Sequence, residues 1–474
     1  MKRQIDIISS IDWLSVILYL MLIGFGWMNI FAVNYNPNDG SFFQFGHRYT
    51  MQLAWILISL MLILAIFIID SRFFSFIAYP AYGLGLLMLL IVLVIGTAIH
   101  SSKSWIVLGP VSLQPSEFAK VATILALAKY LSGYNLKITR LKDIFYSLLI
   151  IFLPALLIIA QPDFGSTIVY GVLLLVLFRE GLPGWVLIVL VALIVLFLAT
   201  FLVSHFVIVS VLFGLAVAGI ALFSKKPVVF FLSLLVITGI AGVLAGLSYF
   251  NYLPRDKYLI LMLTVGISGI AAFIFAVRTK IREIYLILLL LGITIGFTYS
   301  VDFVFHRVMK EHQQHRVNVM LGLESDPYGY EYNVRQSKIA IGSGGFAGKG
   351  FLQGTQTKFR FVPEQSTDFI FCTVGEEWGF LGSFGLVVVY VGLLIRLLIL
   401  AERQRSKFSR IYGYGVVSVL FFHFAVNIGM TIGLFPVIGI PLPFLSYGGS
   451  SLMAFTIMLF IFIKLDSSRK TYLI

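Results

Sequence analysis

Residues 184–203 read Gly-Trp-Val-Leu-Ile-Val-Leu-Val-Ala-Leu-Ile-Val-Leu-Phe-Leu-Ala-Thr-Phe-Leu-Val, twenty positions without a charge. Wound as a helix, such a stretch is about 30 Å long, the thickness of a bilayer's hydrocarbon core. Apolar stretches near 13–33, 51–69, 75–99, 117–132, 144–160, 165–178, 205–223, 227–250, 257–277, 282–305, 369–400, 412–432 and 447–464 carry the same reading. About fourteen spans result, with 117–132 and 165–178 short enough to be tilted or re-entrant. Composition agrees, since 59% of the 474 residues are hydrophobic and 12% charged. A soluble domain carries about twice that charged fraction. The fold class expected is all-α, a polytopic transmembrane helical bundle.

Met1-Lys2-Arg3 leads through Asp6 and Asp12 into a full-length apolar span, so no cleavable signal peptide is expected. Cys372 is the single cysteine, which excludes an intrachain disulfide and a thiolate metal cluster. The net charge of +13 is a matter of topology rather than of nucleic acid binding. Lys2 and Arg3, Arg72, Lys137 with Arg140 and Lys142, Arg179, Lys225 and Lys226, Arg278 with Lys280 and Arg282, Arg403 through Arg410, and Arg469 with Lys470 all fall in alternate loops. By the positive-inside rule those loops and both termini are cytoplasmic. The opposing loops are Asn34–Thr50, Ser101–Ser116, Gln161–Gly165 and 433–446, and Arg255 and Lys257 break the alternation mildly.

Residues 306–367 are polar, glycine-rich and too long for a plain connection, which marks a large extracytoplasmic loop with a function of its own. The chain therefore divides into N-terminal helices (1–203), inserted helices (204–282), one further span (283–305), the loop (306–367) and C-terminal helices (368–474). Gly342–Gly350 is not a Walker A loop, because the positions that need glycine and Ser/Thr around Lys349 hold Ser343 and Gly350. It is either a set of flexible turns or a place where backbone approaches a diphosphate closely. The loop ends in Pro363, with Ser366 and Thr367 as a cap for the next helix. A helix begun near Pro363 would put Glu364 and Asp368 on one face. Glu117, Asp163, Glu376 and Glu377 also lie at span ends, where a carboxylate is either solvated, ion-paired or functional. His306, His312 and His315 lack HExxH spacing, so no metal-ligating residue is assigned, and His423 reads as a hydrogen-bonded packing residue.

Phe435-Pro436-Val437-Ile438-Gly439-Ile440-Pro441-Leu442-Pro443-Phe444-Leu445-Ser446-Tyr447-Gly448-Gly449-Ser450-Ser451 excludes a regular helix by its three prolines. Irregular backbone at membrane depth needs protein or a watery cavity around it. This stretch resembles the signature of the SEDS family, the RodA/FtsW/SpoVE group. Gln114-Pro115-Ser116-Glu117, Gln161-Pro162-Asp163-Phe164-Gly165, Ser325-Asp326-Pro327, the run from Gln336 to Gly345, and Pro363-Glu364-Gln365-Ser366-Thr367-Asp368-Phe369-Ile370-Phe371 match it in order. Gln336-Ser337-Lys338-Ile339-Ala340 is nearer the RodA branch. The resemblance covers most of the chain except about 204–282.

The resemblance implies a ten-helix core, here with about four extra helices, and a peptidoglycan glycosyltransferase that polymerises lipid II for cell elongation and rod shape. It implies Asp368 as the catalytic base with Glu364 in support, and a substrate cavity that includes Arg48, Glu117, Lys120 and Asp163. Arg48, Lys120, Lys338 or a divalent cation (Mg²⁺ or Mn²⁺) would supply positive charge to the departing diphosphate, and Lys338 and Lys349 stand between substrate and structural roles. A class B penicillin-binding protein with transpeptidase activity is the implied partner, and the bacterial inner membrane the implied location. The family commonly has arginines where this chain has Ser104 and Ser112, and a histidine where it has Ser366. A lipid II flippase and a noncatalytic scaffold of the wall-synthesis complex are the competing functions.

Overall fold

The computed structural model describes residues 10–35, 46–99, 102–109, 111–134, 136, 138–224, 227–309, 311–324, 326 and 332–469. Lys2, Arg3, Lys137, Lys225, Lys226 and Lys470 of the expected basic loops lie outside these residues, as do Ser101, Ser325, Pro327, Tyr328 and Tyr330.

In chain order the first helices are α1 (Trp13–Asn34), α2 (Arg48–Ile68) and α3 (Ser71–Ile95). A small antiparallel meander follows, β1 (Thr97–Ile99), β2 (Ser102–Leu108) and β3 (Val111–Leu113), with Thr97 opposite Trp105 and Ile106 opposite Leu113. The apolar run near 75–99 thus stops being helical at Gly96, where strand pairing takes over; the bundle carries this one departure from all-α. Then come α4 (Pro115–Leu131), α5 (Leu141–Ile159), α6 (Phe164–Gly171) and α7 (Leu174–Arg179). The chain continues through α8 (Gly184–Leu202), α9 (His205–Ser224), α10 (Pro227–Tyr249), α11 (Lys257–Thr279), α12 (Arg282–Phe303) and α13 (Glu311–Met320). It closes with α14 (Tyr332–Ser343), α15 (Thr355–Lys358), α16 (Ile370–Glu402), α17 (Lys407–Thr431) and α18 (Gly449–Ser467).

Among the described residues ten helices are long and apolar enough to cross a membrane. The remaining stretches read as spans are helical too, and the short 165–178 run is broken into α6 and α7. The protein is a multi-pass membrane bundle. Ile68 and Val94 are each 86% exposed, a loss in water and none in lipid. Helix starts follow local chemistry: the carboxylates of Asp12, Asp70 and Asp163 accept first-turn backbone N–H groups, and Pro115 opens α4 at the turn that needs no donor.

The chain forms two compact units, Met1–Gly184 with Asp326–Ile474, and Trp185–Ser325. In the first, α17 and α18 are the most enclosed spans, 72% and 78% buried. Polar contacts tie the first unit together at one end of its helices. Asp12 at the start of α1 takes Arg396, and Asp466 near the end of α18 takes Arg403, Arg469 and Gln404. In the second unit Val209, Ala216, Val265 and Leu291 form the core between α9, α11 and α12.

Candidate active site

The opposite end of the first unit is organised by residues 438–441. Their backbone groups meet α6, the turn before α16, and α17. Gly165, at the start of α6, has no room for a side chain because Ile438 O would lie 2.2 Å from its Cβ. Gly439 takes φ 66°, and the Asp368 carboxylate lies over it, with Oδ2 3.4 Å from where a Cβ would be. Asn427 donates to Ile440 O at 2.7 Å, and His423 Nδ1 lies 3.2 Å from Pro441 O. Tyr390 Oη donates to Pro443 O at 3.0 Å. Side chains of α16 and α17 thereby supply partners that a proline-broken backbone cannot find in itself.

Asp368 precedes α16 rather than sitting in it. The helix begins at Ile370, and Glu364–Phe369 forms tight turns in which the N–H groups of Thr367 and Phe369 both donate to Glu364 O. The expected cap by Ser366 or Thr367 is therefore corrected: Phe369 holds the N-cap position without a side-chain bond. So is the shared helical face for Glu364 and Asp368. Glu364 has φ 48°, a left-handed conformation that a carboxylate residue adopts only when its surroundings demand it. Those surroundings are visible. Thr367 Oγ1 donates to Glu364 Oε2 at 3.1 Å, and Arg48 Nη1 lies 3.7 Å from the same oxygen. Arg48 also donates to Ser366 Oγ at 2.6 Å and lies over the Tyr447 ring at 5.7 Å. Backbone bonds from Tyr447 N to Ser366 O and from Ser446 Oγ to Thr367 O sew the turn to the proline-rich segment.

Glu117 and Lys120 are paired at 2.8 Å, each 3% exposed, on one face of α4. Lys120 Nζ is also 3.1 Å from His423 Nε2, which joins this pair through the imidazole to Pro441 O. Glu117 Oε2 is buried without a hydrogen-bond partner among the described residues. Asp163 caps α6 and accepts from Gln114 Nε2 at 3.1 Å. Lys338 is exposed on α14 with its Nζ against Gly433 at the end of α17. Lys349 stands apart from these. It donates to Thr355 Oγ1 and to Glu376 Oε1, both at 2.7 Å. Glu376, fully buried, further accepts the N–H groups of Thr355, Gln356 and Thr357.

The glycine run meets protein. A Cβ on Gly344 would lie 1.9 Å from Gly375 O, and one on Gly348 2.1 Å from Glu377 O. Lys349 N and Gly350 N donate to Glu376 O and Glu377 O, both at 3.0 Å. Gly379, at φ 62° and ψ −157°, breaks α16 where Phe380 N turns to Gly345 O. The backbone of this run packs closely against α16. Asn427, and Ser366 as a partner of Arg48, went unread in the sequence. A polar side chain inside an apolar span was the available signal for the first.

Fold and site together define a multi-pass membrane protein that holds an aspartate and a glutamate on a turn, with an arginine from the start of α2 against it. The chain belongs to the SEDS family: the FtsW, RodA and SpoVE cell cycle protein family matches residues 12–213 and 257–471. It is 30% identical over 446 residues to the peptidoglycan glycosyltransferase RodA of Treponema pallidum, covering 94% of this chain and 95% of that one. With the peptidoglycan glycosyltransferase MrdB of Escherichia coli K12 the identity is 31% over 390 residues, 82% of this chain and 77% of the relative. A solved chain from a peptidoglycan synthase complex that coordinates polymerization and crosslinking superposes with a TM-score of 0.62 at 25% identity, covering 98% and 99% of the two chains.

Proposed function

We propose that this protein is a peptidoglycan glycosyltransferase that polymerises lipid II into glycan strands, with Asp368 as general base. The observation that carries the mechanism is the turn 364–368, where Asp368 lies over Gly439 and Glu364 meets both Thr367 and Arg48. In the reaction the acceptor's 4-hydroxyl attacks the anomeric carbon of the donor and passes its proton to Asp368. The bond from that carbon to the diphosphate breaks, and undecaprenyl diphosphate leaves with the electron pair. One direct displacement inverts the anomeric centre and needs no covalent glycosyl-enzyme. A positioned base of this kind is worth about 10²–10⁴-fold in rate.

Arg48 is a candidate for the diphosphate because it touches the turn that carries the base. Lys338 is the second exposed candidate for the diphosphate. Lys120 and Lys349 have their ammonium groups on buried carboxylates, where they brace α4 against His423 and the loop against α16. Among the described residues no group of three His, Cys, Asp or Glu side chains is set to hold a metal ion. A divalent cation, Mg²⁺ or Mn²⁺, enters this proposal only as a counter-ion carried on the substrate diphosphate. We place the protein in the bacterial inner membrane with both termini cytoplasmic and the site on the outer side. Its partner in this reading is a class B penicillin-binding protein that cross-links the strands.

The test is polymer formation from lipid II by the purified protein with its transpeptidase partner. Asp368→Asn should abolish polymer while the protein still inserts and binds its partner. A variant that polymerises at the normal rate would remove Asp368 as the base. Movement of labelled lipid II between leaflets without polymer would replace the enzyme with a transporter.

A further inference from the structure

Asn427 lies in the interior of α17, fully buried, in a span where an apolar side chain is the expected occupant. Asparagine is a poor helix former, and its amide is costly in an apolar interior unless its hydrogen bonds are made. Its Nδ2 donates twice, to Asp368 O at 2.8 Å and to Ile440 O at 2.7 Å. Both partners are carbonyl oxygens, which only accept, so the nitrogen and not the oxygen must face them. The cost falls on the other atom: Oδ1 is buried with no hydrogen-bond partner among the described residues.

The two carbonyls belong to the two backbone stretches that frame the base. One is the carbonyl of Asp368 itself. The other directly follows Gly439, the residue over which the Asp368 carboxylate lies. One amide therefore sets the spacing between the aspartate's backbone and the shelf beneath its carboxylate. One helical turn earlier, His423 fixes Pro441 O in the same way and continues to Lys120. Without Asn427 both carbonyls would lose a donor, that of Ile440 at a buried position and that of Asp368 at a half-buried one, and each stretch could relax independently of the other.

We infer that Asn427 is a positioning residue of the glycosyl transfer, holding Asp368 and the Gly439–Ile440 shelf in one rigid geometry. It rests on the reading of Asp368 as the base. It does not touch substrate, so its loss falls on the chemical step and spares substrate binding.

The experiment compares Asn427→Leu, Asn427→Ser and Asp368→Asn in the full-length protein with its partner, with lipid II as substrate. Asn427→Leu keeps the branched shape and heavy-atom count of the side chain and removes both donors. It should lower kcat at least about tenfold and leave KM for lipid II within about twofold. The acid limb of the kcat–pH profile should move as well, because the base sits in altered surroundings. Asn427→Ser, with one short donor, should fall between the wild type and Asn427→Leu; it also carries the test where the leucine variant fails to accumulate. Wild-type kcat in the folded variants, or a loss expressed wholly in KM, overturns the inference. Normal polymerisation by Asp368→Asn instead sinks the base on which it rests, and the two failures are read from different variants.

Discussion

Arg48 and Ser366 are 318 positions apart in the chain and 2.6 Å apart in space, so the neighbourhood of Asp368 is assembled and not inherited from one motif. A guanidinium can meet Ser366, approach Glu364 and lie on the Tyr447 ring at once because it is a flat fork; an ammonium is a point charge and cannot. If Arg48 also stabilises charge on the departing diphosphate, its removal acts on the transition state more than on binding. Arg48→Ala should then lower kcat about 10²–10³-fold, and Arg48→Lys should restore only part of it. Steady-state polymerisation at saturating lipid II measures this, and a pure rise in KM would limit Arg48 to ground-state binding. At this scale the sequence was legible where a charge stands at the border of an apolar run, as Asp368 and Glu117 do. It was not legible where partners are distant. Lys338 and Lys349 look alike as letters, yet one is exposed and the other is bound to a fully buried glutamate.

Among the elements, the loop before α16 is held by backbone contacts that only glycine allows. Gly348 has φ 83°, and a methyl group there would lie 2.1 Å from Glu377 O. Gly348→Ala should cost about 1–3 kcal/mol from overpacking, and loosen residues 344–358, seen as faster amide hydrogen exchange. Gly342→Ala is the contrast. It meets nothing within 4 Å in a helical position, so it should be neutral or slightly stabilising. Equal exchange in both variants would show that the loop does not depend on this contact. The sequence displayed the glycines but not what they approach, because a clash is a property of two segments and only one was in view. The start of α1 yields a pH prediction. Burial raises the Asp12 carboxyl, but hydrogen bonds from Arg396 and Ser15 outweigh it and hold the group below its ordinary 3.8. A folded-state value below the unfolded one stabilises the fold above the unfolded value, and that contribution is lost as pH falls through the folded one. Asp12→Asn should therefore lower the thermal midpoint in detergent at pH 7, with the gap from wild type closing below about pH 4. A gap independent of pH would assign the loss to shape rather than charge.

For the whole molecule, the order of the apolar helices was legible because the bilayer sets one length for every crossing, but of the fourteen runs read as spans ten form helices long and apolar enough to cross among the described residues. The partition at 184/185 and 325/326 was less so, since it depends on which helices touch, and an all-round apolar helix gives no sign of its neighbours. Sidedness was read from charge, and it can be tested on α16, which runs from the site to a basic loop. Phe359, 71% exposed, precedes α16; Lys407, also exposed, follows it. Beyond its break at Gly379, α16 still runs from Phe380 to Glu402, about 35 Å of helix and enough to cross the hydrocarbon core, so the two positions belong on opposite sides of the bilayer. In the proposed orientation Arg403, Arg405, Lys407 and Arg410 lie on the cytoplasmic side. The chain is well suited to labelling, because its one cysteine, Cys372, is fully buried and should stay silent. In intact cells a membrane-impermeant maleimide should modify Phe359→Cys and spare Lys407→Cys, and permeabilisation should expose both. The reverse pattern would turn the molecule over and put Asp368 on the cytoplasmic side. Labelling of both positions in intact cells would mean that α16 does not cross the bilayer as a single span, and the charge argument for the site's location would fail with it.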